Sequence, residues 1–206
     1  MPTEDKRLSR GRNTLQTLWH SLAELTNDRP LSEITIDDIC SHCNLTKGAF
    51  YHHFSSRDDL LGQFAVTDMS LYMADAIQQA ALDFPDSPPV QMLEWIYAVS
   101  RYVERRKTAF KGYIFIGHPG NRLTEYVAAW YAAAQACFVR WQQEGVLRTD
   151  MSAQELHHYF DSFTYGIAAL CMNDYYPLAP AQPLLEGFIT SLLSPSYAAS
   201  FSFPEI

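Results

Sequence analysis

From Thr46 to Phe54 the chain reads Thr-Lys-Gly-Ala-Phe-Tyr-His-His-Phe, a stretch that mixes apolar anchors with hydrogen-bonding side chains. Phe50 and Phe54 stand four apart, so on a helix they lie one above the other and mark an inward face. Lys47, Gly48, Ala49, Tyr51 and His52 are left to point elsewhere. These residue types suit contact with a nucleic-acid duplex. A lysine reaches guanine acceptors or a phosphate, an alanine meets a thymine methyl, and a glycine lets the backbone come close. Tyrosine and histidine donate to phosphate oxygens. Just downstream, Ser55, Ser56 and Arg57 open another helix, whose first turn and guanidinium also suit a phosphate. No catalytic pattern competes: the chain has no phosphate-binding glycine loop, nucleophile elbow or HExxH motif.

Capping chemistry predicts the elements that hold these side chains. Thr35 is a good N-cap, and Asp38 three residues on completes a capping box with Asp in place of Glu. Ile34 and Ile39 flank that cap at the spacing of a hydrophobic staple. The device repeats with Thr46 as cap and Leu45 and Phe50 as staple. Asn44, between the two short helices, tolerates a left-handed backbone better than other non-glycine residues. Helix, tight turn, helix is the arrangement that seats a helix in the major groove. A preceding helix is expected from about Arg12 to Asn27, with Leu15, Leu18, Trp19, Leu22 and Leu25 at helical spacing. Residues 1–11 are expected to be mobile.

The string from Thr35 to Leu60, TIDDICSHCNLTKGAFYHHFSSRDDL, resembles the DNA-binding signature of the TetR/AcrR family of transcriptional repressors. That pattern runs roughly TxxxIAxxAGVSxGTxYxHFxSKxxL. This chain departs from it at Asn44 for Gly, Cys40 and Cys43 for Ala, Ala49 for Thr and Arg57 for Lys. The Ala49 change falls at a base-contacting position and so bears on which operator is read. The resemblance implies that Thr35, Thr46, Lys47, Gly48, Ala49, Tyr51, His52, His53 and Arg57 contact DNA. It implies an all-α, TetR-like fold: a three-helix helix-turn-helix domain over residues 1–55 and a six-helix ligand-binding and dimerisation domain over residues 56–206. It further implies a homodimer on a palindromic operator, a small effector bound in the body, and release of DNA when helix 4 of the body swings. An activator, or a regulator answering to a protein partner, would share the same head.

Charge fits that division. The chain carries a net charge of −8. Residues 1–57 balance seven Lys/Arg against seven Asp/Glu, so the acidic excess lies entirely beyond them. Lys6, Arg7, Arg10 and Arg12 cluster ahead of the first helix. Local charge decides duplex binding, and an acidic body orients the other end toward DNA. With 48% hydrophobic and 18% charged residues, the composition is that of a globular protein. Without a basic-then-apolar leader or a membrane-length apolar run, the expectation is a cytoplasmic protein free of membrane. Cys40 and Cys43 form a lone CxxC, which supplies half the ligands of a zinc site; both are expected to fill small buried slots. No cofactor and no metal is expected.

Beyond the head, helical periodicity predicts a long helix from about Ser56 to Leu82 and others over about 90–106, 109–116, 123–144 and 153–173. A last helix is expected to carry Leu184 to Leu193, followed by an irregular tail from Ser194. The second half of the 153–173 helix is apolar on every side, as in a helix covered twice. A partner subunit is the expected second cover, with Ser162, Gly166, Ala169, Leu185, Phe188 and Leu192 at the interface. Phe64, Trp95, Tyr102, Phe110, Phe115, Trp130, Phe138 and Phe163 are the aromatic candidates for an effector site, and they favour an apolar or aromatic ligand. His157 and Asp161, four apart, could hold a metal with His118. The simpler expectation places them on a polar face beside the apolar arc of Leu156 and Phe160.

Overall fold

The computed structural model describes the backbone of residues 4–110, 124–172 and 182–204. It is all-α: α1 (Glu4–Asp28), a single 3-10 turn (Leu31–Glu33), α2 (Ile36–His42), α3 (Lys47–His53), α4 (Arg57–Asp83), α5 (Pro88–Phe110), α6 (Thr124–Gln143), α7 (Ala153–Met172), α8 (Gln182–Leu192) and α9 (Pro195–Ser200). Among the described residues there is no strand, only an isolated bridge between Leu147 and Leu193. No described helix is long and apolar enough to cross a membrane.

The chain forms two compact units, and α4 and α5 each contribute to both. The first holds residues up to Asp68 together with those from Arg106 to Leu123. The second holds Met69–Arg105 and everything from Thr124 on. The expected boundary at 55/56 therefore marks the end of the three-helix segment, and the compact first unit also takes in the start of α4.

The first unit is built on completely buried Leu18, Leu22, Leu31, Ile34, Ile39, Phe50, Leu60 and Leu61. The second packs an aromatic centre, in which the Trp95 ring lies 5.4 Å from Trp141 and 6.5 Å from Phe138. Phe160 meets Trp95 edge-on at 6.1 Å. Offset and edge contacts of this kind add to what area burial alone supplies. Ser152 and Glu155 start α7 with the expected capping box: Ser152 donates from N and Oγ to Glu155 Oε2 at 2.8 and 2.7 Å.

Three elements differ from the sequence expectation. α1 starts at Glu4 rather than near Arg12, since Glu4 and Asp5 favour a helix start and no proline follows to stop it. α5 runs on to Phe110, which absorbs the first residues of the helix expected at 109–116; the rest of that helix lies outside the described residues. The tail from Ser194 is not irregular. Ser194 Oγ accepts from Tyr197 N at 3.3 Å and caps α9, with Pro195 at the first helical position. Tyr197, Phe201 and Phe203 then pack against the core.

Candidate nucleic-acid interface

Both predicted caps form. Thr35 Oγ1 accepts from Asp38 N at 3.1 Å while Asp38 Oδ2 accepts from Thr35 N and Oγ1, each at 2.8 Å. These bonds hold the Asp38 carboxyl below its ordinary range. Thr46 Oγ1 accepts from Ala49 N at 3.1 Å and starts α3. Between the helices Asn44 has φ 54°, the left-handed conformation that lets a turn this tight reverse the chain. Phe50 and Phe54 point inward with ring centroids 5.7 Å apart.

That anchoring turns the other face of α3 outward. Lys47, Gly48, Tyr51 and His52 are all exposed, Tyr51 by 55%. Tyr51 is steadied by the edge of Phe50, 5.2 Å away. Its hydroxyl thus stands off the surface on a fixed base. A Cβ added at Gly48 would meet only Thr46 Oγ1, at an ordinary 3.7 Å. Packing within the protein therefore does not require glycine there. Ala49 is half-buried, and the rings of His52 and His53 stack at 5.2 Å. The Lys47 ammonium lies 2.8 Å from Asp37 Oδ1 on α2. Asp37 raises the Lys47 pKa, so Lys47 is charged at neutral pH.

Arg57 was expected at a phosphate, but the structure turns it inward. Its Nε donates to Ile34 O at 2.5 Å and its Nη2 to Leu31 O, with Nη1 3.4 Å from Asp58. The guanidinium thus satisfies carbonyls of the turn before α2, and its main role is to brace α4 against that turn. Thr35 and Thr46 likewise have their hydroxyls committed to caps. Cys40 is buried, Cys43 Sγ donates to Ile39 O at 2.9 Å, and none of the four cysteines is in a disulfide. Among the described residues no three potential ligands gather to hold a metal.

In the second unit a small cavity is walled by α4, α5, α6 and α7. Trp95 and Trp130 line it, as do His157, Phe160, Asp161, Thr164 and Tyr165. Of the other expected aromatics, Phe138 is buried behind Trp95, Phe163 stacks on Phe188 at 3.7 Å, Tyr102 pairs with Tyr72 at 5.4 Å, and Phe64 is buried in the first unit. Phe115 and the side chain of Phe110 lie outside the described residues. His157 is not on a polar face. It is 1% exposed and sandwiched between Tyr131 and Phe138, at 4.4 and 5.0 Å. Periodicity missed it because the apolar arc of α7 is wider than the Leu156 and Phe160 stripe. His118 also falls outside the described residues.

Leu185, Phe188 and Leu192, expected at a subunit interface, are buried in the protomer's own core. The outward residues of α7 and α8 include Tyr159, Ser162, Tyr165, Gly166, Leu170 and Leu184, with Ala169 half-buried. Pairs one turn apart do not say which side of α8 faces in; packing against Phe163 and Phe160 decides it.

Comparison with known proteins agrees with this geometry. The family model "Bacterial regulatory proteins, tetR family" matches residues 20–64. The Transposon Tn10 TetC protein of Escherichia coli is 37% identical over 65 residues. That match spans about a third of each chain, 32% of both. Among solved structures, RolR without ligand superposes with TM-score 0.66 at 17% identity, covering 93% of this chain and 99% of that one. A TetR-family regulator from Vibrio parahaemolyticus gives TM-score 0.60 at 15% identity, covering 88% of this chain and 99% of that one. At such identities the structures speak for the fold alone, and the family match is confined to residues 20–64. Residues 20–64 carry the helix-turn-helix DNA-binding segment that the tetR-family model describes, and the chain as a whole is similar in fold to TetR-family regulators.

Proposed function

We propose that the protein is a homodimeric repressor that binds a palindromic operator and is released by a small apolar or aromatic effector. The observation that carries the DNA reading is the outward face of α3, where Lys47, Gly48 and Tyr51 stand exposed over a helix pinned by two buried phenylalanines. One such helix makes few contacts; two, one helical turn of DNA apart, read a palindrome. The outer stripe of α7 and α8 supports the second copy: Tyr159, Leu170 and Leu184 are 49%, 42% and 49% exposed. At Gly166 an added Cβ would meet nothing within 4 Å, so a partner helix can come close. Effector binding in the second unit then shifts the population toward a body conformation with lower operator affinity.

The cavity supports this effector reading through its lining rather than its present size. About 20 Å3 of it admits the centre of a water-sized sphere, room for one water, so a ligand must open it. That small volume favours the alternative, in which a protein partner controls the same head. Selection of bound sequences from random duplexes tests the DNA reading. The expected result is a site with two-fold symmetry and affinity that falls steeply with salt. Failure to bind any duplex at low ionic strength would sink it. Screening small molecules for release of the selected duplex separates the two modes of control.

A further inference from the structure

The polar end of the cavity is unusual in its hydrogen bonding. His157 Nδ1 lies 2.9 Å from Gln135 Oε1; with the amide oxygen toward the ring, the proton sits on Nδ1 and Nε2 is left as an acceptor. Nε2 is fully enclosed and has no hydrogen-bond partner among the described residues. It faces Asp161 Oδ2 at 3.5 Å. Once Asp161 is ionised, two acceptors confront each other with no donor between them. Thr164 cannot serve, because its hydroxyl donates to Phe160 O at 2.9 Å. Neither Lys nor Arg lines the cavity.

We propose that Asp161 and His157 together recognise a protonated amine carried on an apolar or aromatic body, so that the effector is a small organic cation. This rests on the effector reading above and names its chemical class. An ammonium brings several donors and can satisfy both acceptors at once, while an alcohol brings one. It also supplies the positive charge that the walls do not. Trp95, Trp130 and Phe160 give the cation aromatic surroundings. Met69 and Met73 line the opposite, adaptable wall, where unbranched side chains can move aside for the apolar body.

The titration of the site agrees. Burial pushes Asp161 up to about 7 and holds His157 down to about 4. The titratable groups near Asp161 are His157, His158 and Tyr165 on its own helix and Tyr131 on α6. The lining from α4 and α5 is Met69, Met73, Ile77, Trp95 and Val99, with no titratable side chain. Asp161 is thus poised to ionise when a cation arrives and to release its proton.

The test titrates the full chain with 2-phenylethylamine and with its neutral counterpart 2-phenylethanol. At pH 8 the amine is expected to bind about tenfold or more tightly than the alcohol. Between pH 8 and pH 6 the amine should lose about tenfold in affinity as Asp161 takes up its proton, while the alcohol should not. Calorimetry in buffers of different ionisation heat should show proton release on amine binding near pH 7. Asp161→Asn should abolish the preference for the amine. Equal binding of amine and alcohol, no binding of either, or a preference surviving in Asp161→Asn would overturn the assignment. The pH and proton-release readings need only the wild-type chain, so a variant that fails to fold does not block the test. Operator release is scored separately. Asp161-dependent amine binding without release keeps the site and removes the effector role; release by neutral aromatics alone does the reverse.

Discussion

At the scale of single residues, the structure separates the exposed side chains of the proposed DNA face from those that hold that face in place. Lys47 is held in an exposed ion pair with Asp37, and such pairs are weak enough to be exchanged for a duplex. Removing the competitor should therefore help: Asp37→Asn is expected to raise affinity for all duplexes, while Lys47→Ala lowers operator affinity about ten- to a hundredfold. Binding curves for operator and random duplexes check both, and a loss of affinity in Asp37→Asn would contradict the exchange. Arg57 belongs to the scaffold. Arg57→Ala should cost about 2–3 kcal/mol of stability in denaturant unfolding and leave the salt slope of DNA binding unchanged. A slope reduced by one phosphate contact would return Arg57 to the interface. The buried pair in the second unit makes a pH prediction. Asp161, raised from 3.8 to about 7, keeps a proton in the folded state that the unfolded chain has lost, so stability falls as pH rises through that window. His157, lowered from 6.5 to about 4, lacks a proton that the unfolded chain holds, so stability rises with pH through that range. The two slopes oppose. Melting temperature should be nearly flat over this range in the wild type, rise with pH in Asp161→Asn and fall with pH in His157→Gln.

At the scale of elements, the short helices were readable and the long ones only half so. Thr35, Asp38, Asn44 and Thr46 specify α2, the turn and α3 because capping is local: each bond spans three residues. α9 carried the same kind of signal, with a serine cap before a proline, and its expected irregularity came from ignoring it. α8 is a different case. Its apolar residues fall on adjoining stripes, and no local rule says which stripe meets the core. The structure buries Leu185, Phe188, Ile189 and Leu192 and exposes Leu184. Phe188→Ala is therefore expected to cost about 3–5 kcal/mol of protomer stability, measured by denaturant unfolding, through the cavity left against Phe163 and Phe160. A variant of unchanged unfolding midpoint that no longer dimerises would place Phe188 at the interface instead.

At the scale of the whole molecule, the proposed reading of a palindrome requires two copies of the chain. The exposed stripe of Tyr159, Ser162, Gly166 and Leu170 repeats at helical spacing along α7 and fits a second helix. Leu170→Glu should yield a folded monomer by light scattering, with little change in helical content. Its operator affinity should collapse toward the non-specific level, since a single α3 cannot span both half-sites. A Leu170→Glu variant that stays dimeric would move the interface elsewhere on the body. Charge acts at this scale too: the excess of −8 lies entirely outside residues 1–57, so residues 1–57 carry no net charge to repel phosphates.

The sequence by itself determined the parts whose physics is local. Caps, staples, a left-handed asparagine and a phenylalanine pair four residues apart defined α2, α3 and the outward face of α3, and with them the segment that matches the tetR-family model. What only the tertiary structure decided depends on residues distant in the chain. Arg57 turns inward because carbonyls of Leu31 and Ile34 happen to lie within its reach. His157 becomes buried and Asp161 mostly so because α4, α5 and α6 close over one side of α7. A helical pattern records that a side chain lies on a given stripe; which neighbours cover that stripe, and what they strip of water, is settled only when the helices pack.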